Sequence, residues 1–198
     1  SGNWSATRAG RELAALAIQR IAANDPRAAA SELEKLQGRM QAAEREWAWS
    51  QIALQGARKH YSEALAWFAL AGATPLSDEG YQWKVRAALR ARDWSVVLAT
   101  ISEMPPALAA QPEWTYWLGR AYKAGGLTSE ADALFEKIAG QASFYGNLAD
   151  EELGRKIVVP PKAKAPTAEE QKAARDNPGI RRAMAFFRLD MRTEAVRE

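Results

Sequence analysis

Apolar residues recur every three or four positions along most of this chain, the spacing that gives an α-helix one buried face. Gly, Pro, Ser and Asp interrupt the pattern and supply the residue types that begin and end helices. No stretch alternates with the period of two of a half-buried strand, and the one β-like run, IVVP at 157–160, is too short to form a sheet. The pattern predicts an all-α chain, with helices at about 5–23, 27–36, 40–58, 62–71, 81–89 and 93–104, a pair after Pro112, and further helices from Ala168 and Asn177.

Three segments begin with Ser and continue with similar apolar spacing: SEALAWF, SVVLATI and SEADALF, which start at Ser62, Ser95 and Ser129. Their starts are 33 and 34 residues apart, the length of one tetratricopeptide-type repeat of two helices. Two first helices also echo each other, because EWAW at 46–49 and EWTY at 113–116 stand 67 residues apart. We therefore predict a superhelix of stacked helical hairpins, a tetratricopeptide-like α-solenoid, with three hairpins and a more degenerate fourth at the N-terminus.

The last of these hairpins has the clearest motif. Leu118, Gly119 and Tyr122 are followed by Ala131 and Phe135, the order of residues in a tetratricopeptide-type hairpin. Leu118 and Tyr122 lie four residues apart and share one helix face, as do Ala131 and Phe135. Gly119 and Ala131 are small enough for two helices to approach closely, and the aromatic residues fill the space around that contact. The motif predicts packing and no chemistry.

The segment that follows this hairpin, SFYGNLADEELG at 143–154, is more specific. It resembles the Ser-Phe-Tyr-Gly-x-Leu-Ala-x-x-x-Leu-Gly signature of the soluble lytic murein transglycosylases, a family in which this segment closes a superhelical domain of stacked helices. The alternative is an ordinary hairpin end, at which the same residues merely pack at helical spacing. The residues that match the signature after its Ser are Phe144, Tyr145, Gly146, Leu148, Ala149, Leu153 and Gly154.

The composition changes after this signature. A run at 155–166 has three prolines and several cations, which indicates a connector over the surface. Residues 155–198 hold 11 Lys/Arg and 6 Asp/Glu, a net charge of +5, against −2 for the rest. A basic part suits an anionic partner, but a solvated surface explains it equally well. We expect a superhelical domain at 1–154, a connector at 155–166 and a truncated helical domain at 167–198.

The resemblance also implies what the last part is. In the family, a proline-containing connector leads to an Arg-rich stretch with Met, Phe and Leu that ends in Asp and marks the start of a linker domain. The chain opens without Met or a signal peptide, so we also expect it to be a piece of a longer protein. The residues that match the linker pattern are Met184, Phe186, Phe187, Leu189 and Asp190.

For the complete protein, the resemblance implies cleavage of the β-1,4 bond between N-acetylmuramic acid and N-acetylglucosamine in peptidoglycan. One Glu would protonate the leaving oxygen, and the sugar's own 6-hydroxyl would attack and give a 1,6-anhydro product, unlike hydrolysis by paired carboxylates. The family's catalytic Glu-Ser pair and Gly-Leu-Met-Gln run are missing here, so no catalytic residue is assigned and enzyme activity stays open. The implied partners are peptidoglycan glycan strands and the protein's own catalytic domain, in the periplasm.

Residue types that other chemistries need are sparse. Cys is absent, which excludes a disulfide framework, a zinc ribbon and a thiol nucleophile. His60 is the only histidine, at a helix junction, where a surface role is favoured over catalysis or metal binding. Basic and aromatic positions do not interleave as in a nucleic-acid-binding surface, and no apolar run is long enough to span a membrane. We predict no metal, no cofactor, no nucleic-acid partner and no transmembrane segment.

Two aromatic residues are candidate sugar contacts. Most of the Trp residues recur at equivalent helix positions, so packing is their default role, but an exposed Trp or Tyr could stack on a sugar face. Trp49 and Tyr116 are the candidates, because each is the second aromatic residue of its echoing pair. The leading hypothesis is a non-catalytic superhelical fragment that guides glycan strands and positions the missing catalytic domain. The alternative is a tetratricopeptide-like scaffold that binds a protein or peptide in the cell envelope.

Overall fold

Helices account for all the regular secondary structure in residues 3–157 and 161–198, the part of the chain that this computed structural model describes. The all-α prediction is therefore confirmed for those residues. The β-like run at 157–160 lies outside the described residues except for Ile157, which is in neither a helix nor a strand. The chain divides into two compact units, Ser1–Val158 and Val159–Glu198. The predicted boundaries around the connector stay predictions.

Ten α-helices form the described part of the first unit, together with short 3₁₀ helices at Trp4–Ala6 and Gln37–Arg39. Most are hairpin partners of seven to 17 residues, whereas α7 is a single turn. The α-helices are α1 (Arg8–Asn24), α2 (Pro26–Leu36), α3 (Ala42–Arg58), α4 (Ala64–Leu70), α5 (Asp78–Ala91), α6 (Trp94–Glu103), α7 (Pro106–Ala109), α8 (Pro112–Ala124), α9 (Thr128–Glu136) and α10 (Phe144–Glu152).

Side-chain caps explain where several of these helices begin. The Asp25 carboxylate accepts hydrogen bonds from the two backbone N–H groups that follow Pro26, at 3.0 and 3.1 Å, so the predicted start of α2 is confirmed. The first α-helix begins later than the predicted position near residue 5. Ser5 lies in a 3₁₀ turn, and α1 begins two residues after it ends, where the Thr7 hydroxyl accepts from the Gly10 N–H at 3.1 Å.

Left-handed backbone conformations join the two helices of three hairpins. His60, Arg92 and Gly126 follow α3, α5 and α8 with φ angles of 65°, 57° and 81°. In each turn the N–H of the next residue donates to the carbonyl oxygen five residues earlier at 2.9–3.0 Å, the bond of a Schellman C-cap. Gly adopts this conformation without strain, whereas His and Arg are strained in it. The three turns therefore share one backbone conformation, although the residue at this position differs.

Neighbouring helices pack in the order of the chain. α1 packs on α2, α3 on α4, α5 on α6, and α8 on α9, which gives four hairpins. Contacts between hairpins are also local: α1 packs on α3, α3 on α5, and α6 on α8. Contacts restricted to nearest neighbours are what define a helical solenoid. The predicted superhelix of stacked hairpins is confirmed, while a tetratricopeptide-like character of the individual repeats stays a prediction.

The described hydrophobic residues of the first unit form three successive cores. The first lies mainly in α1–α4 and includes Trp49, the second joins α5, α6 and α8 around Trp114, and the third joins α8, α9 and α10 around Phe135. These three rings are at most 2% exposed. The cores follow one another along the chain because each hairpin buries its apolar face only on its neighbours.

The second unit buries little of its apolar surface. Asn177 caps α12 by accepting from the backbone N–H groups of the second and third helical residues at 2.9 and 3.2 Å. Ala195 is its one buried hydrophobic residue among those described, and Ile180, Met184 and Phe187 on α12 are 45–48% exposed. The three helices are α11 (Ala168–Asp176), α12 (Pro178–Arg188) and α13 (Arg192–Arg197).

Candidate functional site

The signature segment forms α10 together with its two ends. The Ser143 hydroxyl caps the helix by accepting from the Gly146 N–H at 3.2 Å. A Cβ on Gly146 would collide with the carbonyl oxygen of Gln141, so a larger residue would displace the backbone there. Gly154 follows the helix with a φ of 69°, the left-handed conformation that favours Gly. The Ser and the two Gly residues of the signature therefore set where α10 starts and stops.

Aromatic rings hold α10 against α8. The ring centroid of Tyr116 lies 5.6 Å from that of Tyr145, 5.7 Å from that of Phe135 and 5.2 Å from that of Trp117. Burial raises the pKa of Tyr116 and of Tyr145, so both hydroxyl groups keep their protons at neutral pH. Phe144 differs from the rest of the signature, because its side chain is 70% exposed and contacts the Tyr145 ring only edge-on.

The remaining motif residues lie in or against the second and third cores. A Cβ on Gly119 would lie 2.6 Å from the Phe135 ring. The Phe135 ring on α9 thus occupies space on α8 that a larger residue at position 119 would need. Leu118 is half-buried against the second core. The residues in or against the third core are Tyr122, Ala131, Leu148, Ala149 and Leu153.

A polar network also joins α8 to α10. Glu152 accepts from Lys123 Nζ at 2.8 Å and pairs with Arg120 at 3.0 Å. Arg120 also donates to the Tyr116 hydroxyl oxygen at 3.1 Å. Together with Trp94, the two cations and the carboxylate line a cavity of about 450 Å³. The network holds a single carboxylate, whereas the usual glycoside hydrolysis uses a pair, so its arrangement indicates helix-to-helix attachment.

Asp150 is a structural residue that the sequence analysis did not single out. Its carboxylate is buried and accepts the Gly140 N–H at 3.1 Å on both oxygens, and Arg155 lies 4.0 Å away. This bond ties the loop between α9 and α10 to α10, and it gives the buried Asp150 carboxylate a hydrogen-bond donor. An acidic residue among the apolar positions of α10 is the signal that could have indicated this role.

The two candidate sugar contacts are both buried. Trp49 is 2% exposed in the first core, and Tyr116 is 3% exposed between α8, α9 and α10. The hypothesis required an exposed ring, and the structure corrects that premise. Either ring could meet a sugar only if its helix moved away from its neighbours. Packing, the default role for these residues, agrees with their burial.

A groove between α1 and α3 contains an aromatic residue that does reach a cavity. Trp47, two residues before Trp49, is half-buried and lines a volume of about 570 Å³. Ala15, Leu16 and Ala43 supply the rest of its apolar wall. The polar lining consists of Arg8, Glu12, Gln41 and Glu44.

Neither the groove nor the polar network resembles a metal centre or a membrane segment. No three His, Cys, Asp or Glu residues come together as metal ligands within 3–157 and 161–198. His60 lies against Arg90 and 6.0 Å from the Trp83 ring centroid. None of the helices in the described residues has the length and apolar content to cross a bilayer.

Solved structures of lytic transglycosylases resemble this chain. An inactive variant of the lytic transglycosylase Slt from Pseudomonas aeruginosa matches 96% of the chain at 26% identity with a TM-score of 0.71, over 32% of its own length. The 70-kDa soluble lytic transglycosylase, in a complex with bulgecin A, matches 96% at 20% identity with a TM-score of 0.63, over 31% of its own length, and this likeness shows the fold alone. Comparison with protein-family models and with curated proteins gave no match.

The resemblance to soluble lytic transglycosylases that the signature indicated is therefore confirmed in the structure. The chain spans about a third of the length of the two enzymes it matches.

Proposed function

We propose that this chain is a non-catalytic superhelical part, with the beginning of a linker domain, of a periplasmic peptidoglycan lytic transglycosylase. The complete protein would cleave the β-1,4 bond between N-acetylmuramic acid and N-acetylglucosamine with a 1,6-anhydro product. The part described here would guide glycan strands and hold the catalytic domain in position. Its partners would be the glycan strands and that catalytic domain.

The observation that carries this proposal is the match to the Pseudomonas aeruginosa enzyme along 96% of the chain at 26% identity. The signature segment at 143–154 adds support, because its residues have specific physical tasks in α10. Ser143 and Gly146 set the helix start, and Tyr145 packs against α8. Hairpins held together in this way form a surface whose parts keep fixed spacings, which suits binding to an extended polymer.

The test is a co-sedimentation of the purified chain with insoluble peptidoglycan at low and moderate salt, with the soluble products assayed in parallel. We expect the chain to sediment with peptidoglycan and to release no 1,6-anhydro products. Binding that survives moderate salt would separate glycan contacts from attraction between the basic 155–198 part and anionic groups. Absence of binding at both salt concentrations would contradict the guiding role, and release of anhydro products would contradict the non-catalytic assignment.

A scaffold that binds a protein or peptide is the second candidate function. The exposed apolar residues Ile180, Met184 and Phe187 of α12 favour it, because apolar positions at this spacing are a common anchor for a partner helix. The two functions predict different sequences after Glu198 in the parent gene. A Glu-Ser pair followed by a Gly-Leu-Met-Gln run supports the transglycosylase, and a parent gene that lacks both supports the scaffold.

A further inference from the structure

We propose that the groove between α1 and α3 is a subsite for uncharged N-acetylhexosamine units, with Trp47 as its stacking surface. This inference rests on the proposed function, since it names where the superhelical part would contact a glycan strand. Trp47 thereby takes the place of Trp49 as the candidate aromatic contact on α3. Both the chemistry of the lining and the size of the cavity support it.

The apolar wall of the groove has the composition of a sugar-stacking surface. One face of a pyranose ring presents C–H groups, which pack favourably on the electron-rich face of an indole ring. Trp47 is half-buried against the first core, so its ring is held in place while part of it lines the groove. Leu16, which is 50% exposed, extends the wall along α1. Leu16 and the accessible part of Trp47 together give the groove an apolar wall.

The charged groups of the lining are already paired, which favours a neutral ligand over an anionic one. Arg11, which is not part of the lining, pairs with Glu44 at 3.0 Å, and these side chains are only 12% and 13% exposed. Glu44 also accepts the Gln41 N–H at 2.8 Å, so its carboxylate is already occupied. At the rim, Arg8 pairs with Glu12 at 2.7 Å, with side-chain exposures of 84% and 49%. Arg8, the cation that lines the groove, is therefore already paired and is not free to attract a phosphate or a carboxylate.

The rim still offers hydrogen-bonding groups to a sugar. A carboxylate accepts more than one hydrogen bond, so Glu12 can accept a hydroxyl or an acetamido N–H beside Arg8. Gln41 is exposed at the opposite wall and has both a donor and an acceptor in its amide. The cavity volume of about 570 Å³ lies within the range of about 300–1,000 Å³ for small-molecule sites. An apolar wall with a few convergent polar groups is the usual design of such sites.

The test uses the whole chain and a β-1,4-linked N-acetylglucosamine tetrasaccharide, which is a neutral probe. The indole N–H signal of Trp47 in a ¹H–¹⁵N spectrum is identified by its loss in Trp47→Phe, and that of Trp94 by its loss in Trp94→Phe. We expect titration with the tetrasaccharide to shift the Trp47 signal and to leave the Trp94 signal in place. A Trp47 signal that does not move at saturating sugar would overturn the proposal.

Two substitutions connect the groove to peptidoglycan. Trp47→Ala should weaken tetrasaccharide binding about tenfold. A tenfold change corresponds to about 1.4 kcal/mol, which is the contribution expected of one aromatic contact. Leu16→Arg changes an exposed residue and places a long cation across the groove, so it should block binding while the helical circular dichroism and melting temperature stay as in the unchanged chain. Trp94→Ala is the matched control and should bind normally.

The outcomes separate this inference from the proposed function. If the unchanged chain and Leu16→Arg both sediment with peptidoglycan equally well, strands bind elsewhere and the groove assignment is wrong. If the unchanged chain binds neither peptidoglycan nor the tetrasaccharide, both proposals are wrong. The expected result is that Leu16→Arg reduces both kinds of binding.

Discussion

Gly119 and Phe135 bring α8 and α9 close together, with the ring so near that an added Cβ would lie 2.6 Å from Phe135 Cε1. Phe135 is fully buried and cannot swing into solvent. We expect Gly119→Ala to lower the free energy of unfolding by about 1–3 kcal/mol, since overpacking outweighs the better helix propensity of Ala. Urea unfolding measures the change. Gly38→Ala is the control, because a Cβ there has open space. Equal stability of the two variants would contradict the close packing.

Arg92 occupies a left-handed turn position at which Gly126 stands in a later hairpin. Arg92→Gly should raise the free energy of unfolding by about 0.5 kcal/mol, because the relief of backbone strain exceeds the extra entropy of Gly in the unfolded chain. Arg92→Ala removes the same side chain but keeps the strain, so it should bring no gain. Conversely, Gly126→Ala should destabilise by about 1 kcal/mol. A gain from Arg92→Ala equal to that from Arg92→Gly would show that the side chain, and not the turn, is the cause.

The Arg27–Glu63 pair connects α2 to the start of α4 at 2.7 Å and makes stability depend on pH. The hydrogen bond from Arg27 lowers the pKa of Glu63 from 4.5 to about 2. Because the folded pKa is below the unfolded one, the stabilisation is present above about pH 4.5 and disappears as the pH falls to about 2. Glu63→Gln should therefore lower the melting temperature at pH 7 and leave it unchanged near pH 2.

The pair is exposed, so the effect on melting temperature should be small and should decrease with salt. Glu34→Gln, a change of an exposed carboxylate on α2, is the control. A difference between Glu63→Gln and the unchanged chain that is as large at pH 2 as at pH 7 would exclude the ion pair as its source.

Asp150 should be more important for stability than its exposed neighbour Glu151. Asp150→Ala leaves the Gly140 N–H without its acceptor, which we expect to cost about 1–3 kcal/mol of unfolding free energy. Hydrogen exchange at the Gly140 amide should accelerate more than exchange in α1, where the substitution has no contact. Glu151→Ala should leave both the unfolding free energy and the exchange rate at Gly140 nearly unchanged. Slow exchange at Gly140 in Asp150→Ala would show that the Asp150 hydrogen bond does not hold this loop.

Helix positions could be predicted from the sequence because their signals are local. Asp25 and Pro26 are adjacent residues of the types that begin a helix, and α2 begins there. Gly119 and Phe135 belong to a local pattern that indicates a hairpin. Which Trp faces the core could not be predicted in this way. Trp47 and Trp49 are two positions apart and therefore point about 200° apart around the helix. Both sides of α3 have apolar residues, so only the neighbouring helices decide which ring is buried.

The candidate site shows the same limit. The signature segment correctly indicated the fold of the known enzymes, yet its most apolar residue, Phe144, is exposed, and the buried Asp150 within it was not singled out. The groove at Trp47 joins residues of α1 and α3 that are 27–39 positions apart in the chain. A cavity of this kind depends on the distance between two helices. The periodicity of residues along one helix does not determine that distance.

The division of the first unit into three successive cores has an evolutionary consequence. A protein with one shared core must adjust many contacts at once when a segment is gained or lost. Here each core is formed by neighbouring hairpins only, so a duplication or deletion of one hairpin, about 33 residues, would change the packing next to that hairpin and leave the more distant cores as they are. The reach of such a molecule along a polymer can therefore change in discrete steps, while the remaining hairpins keep the packing they already have.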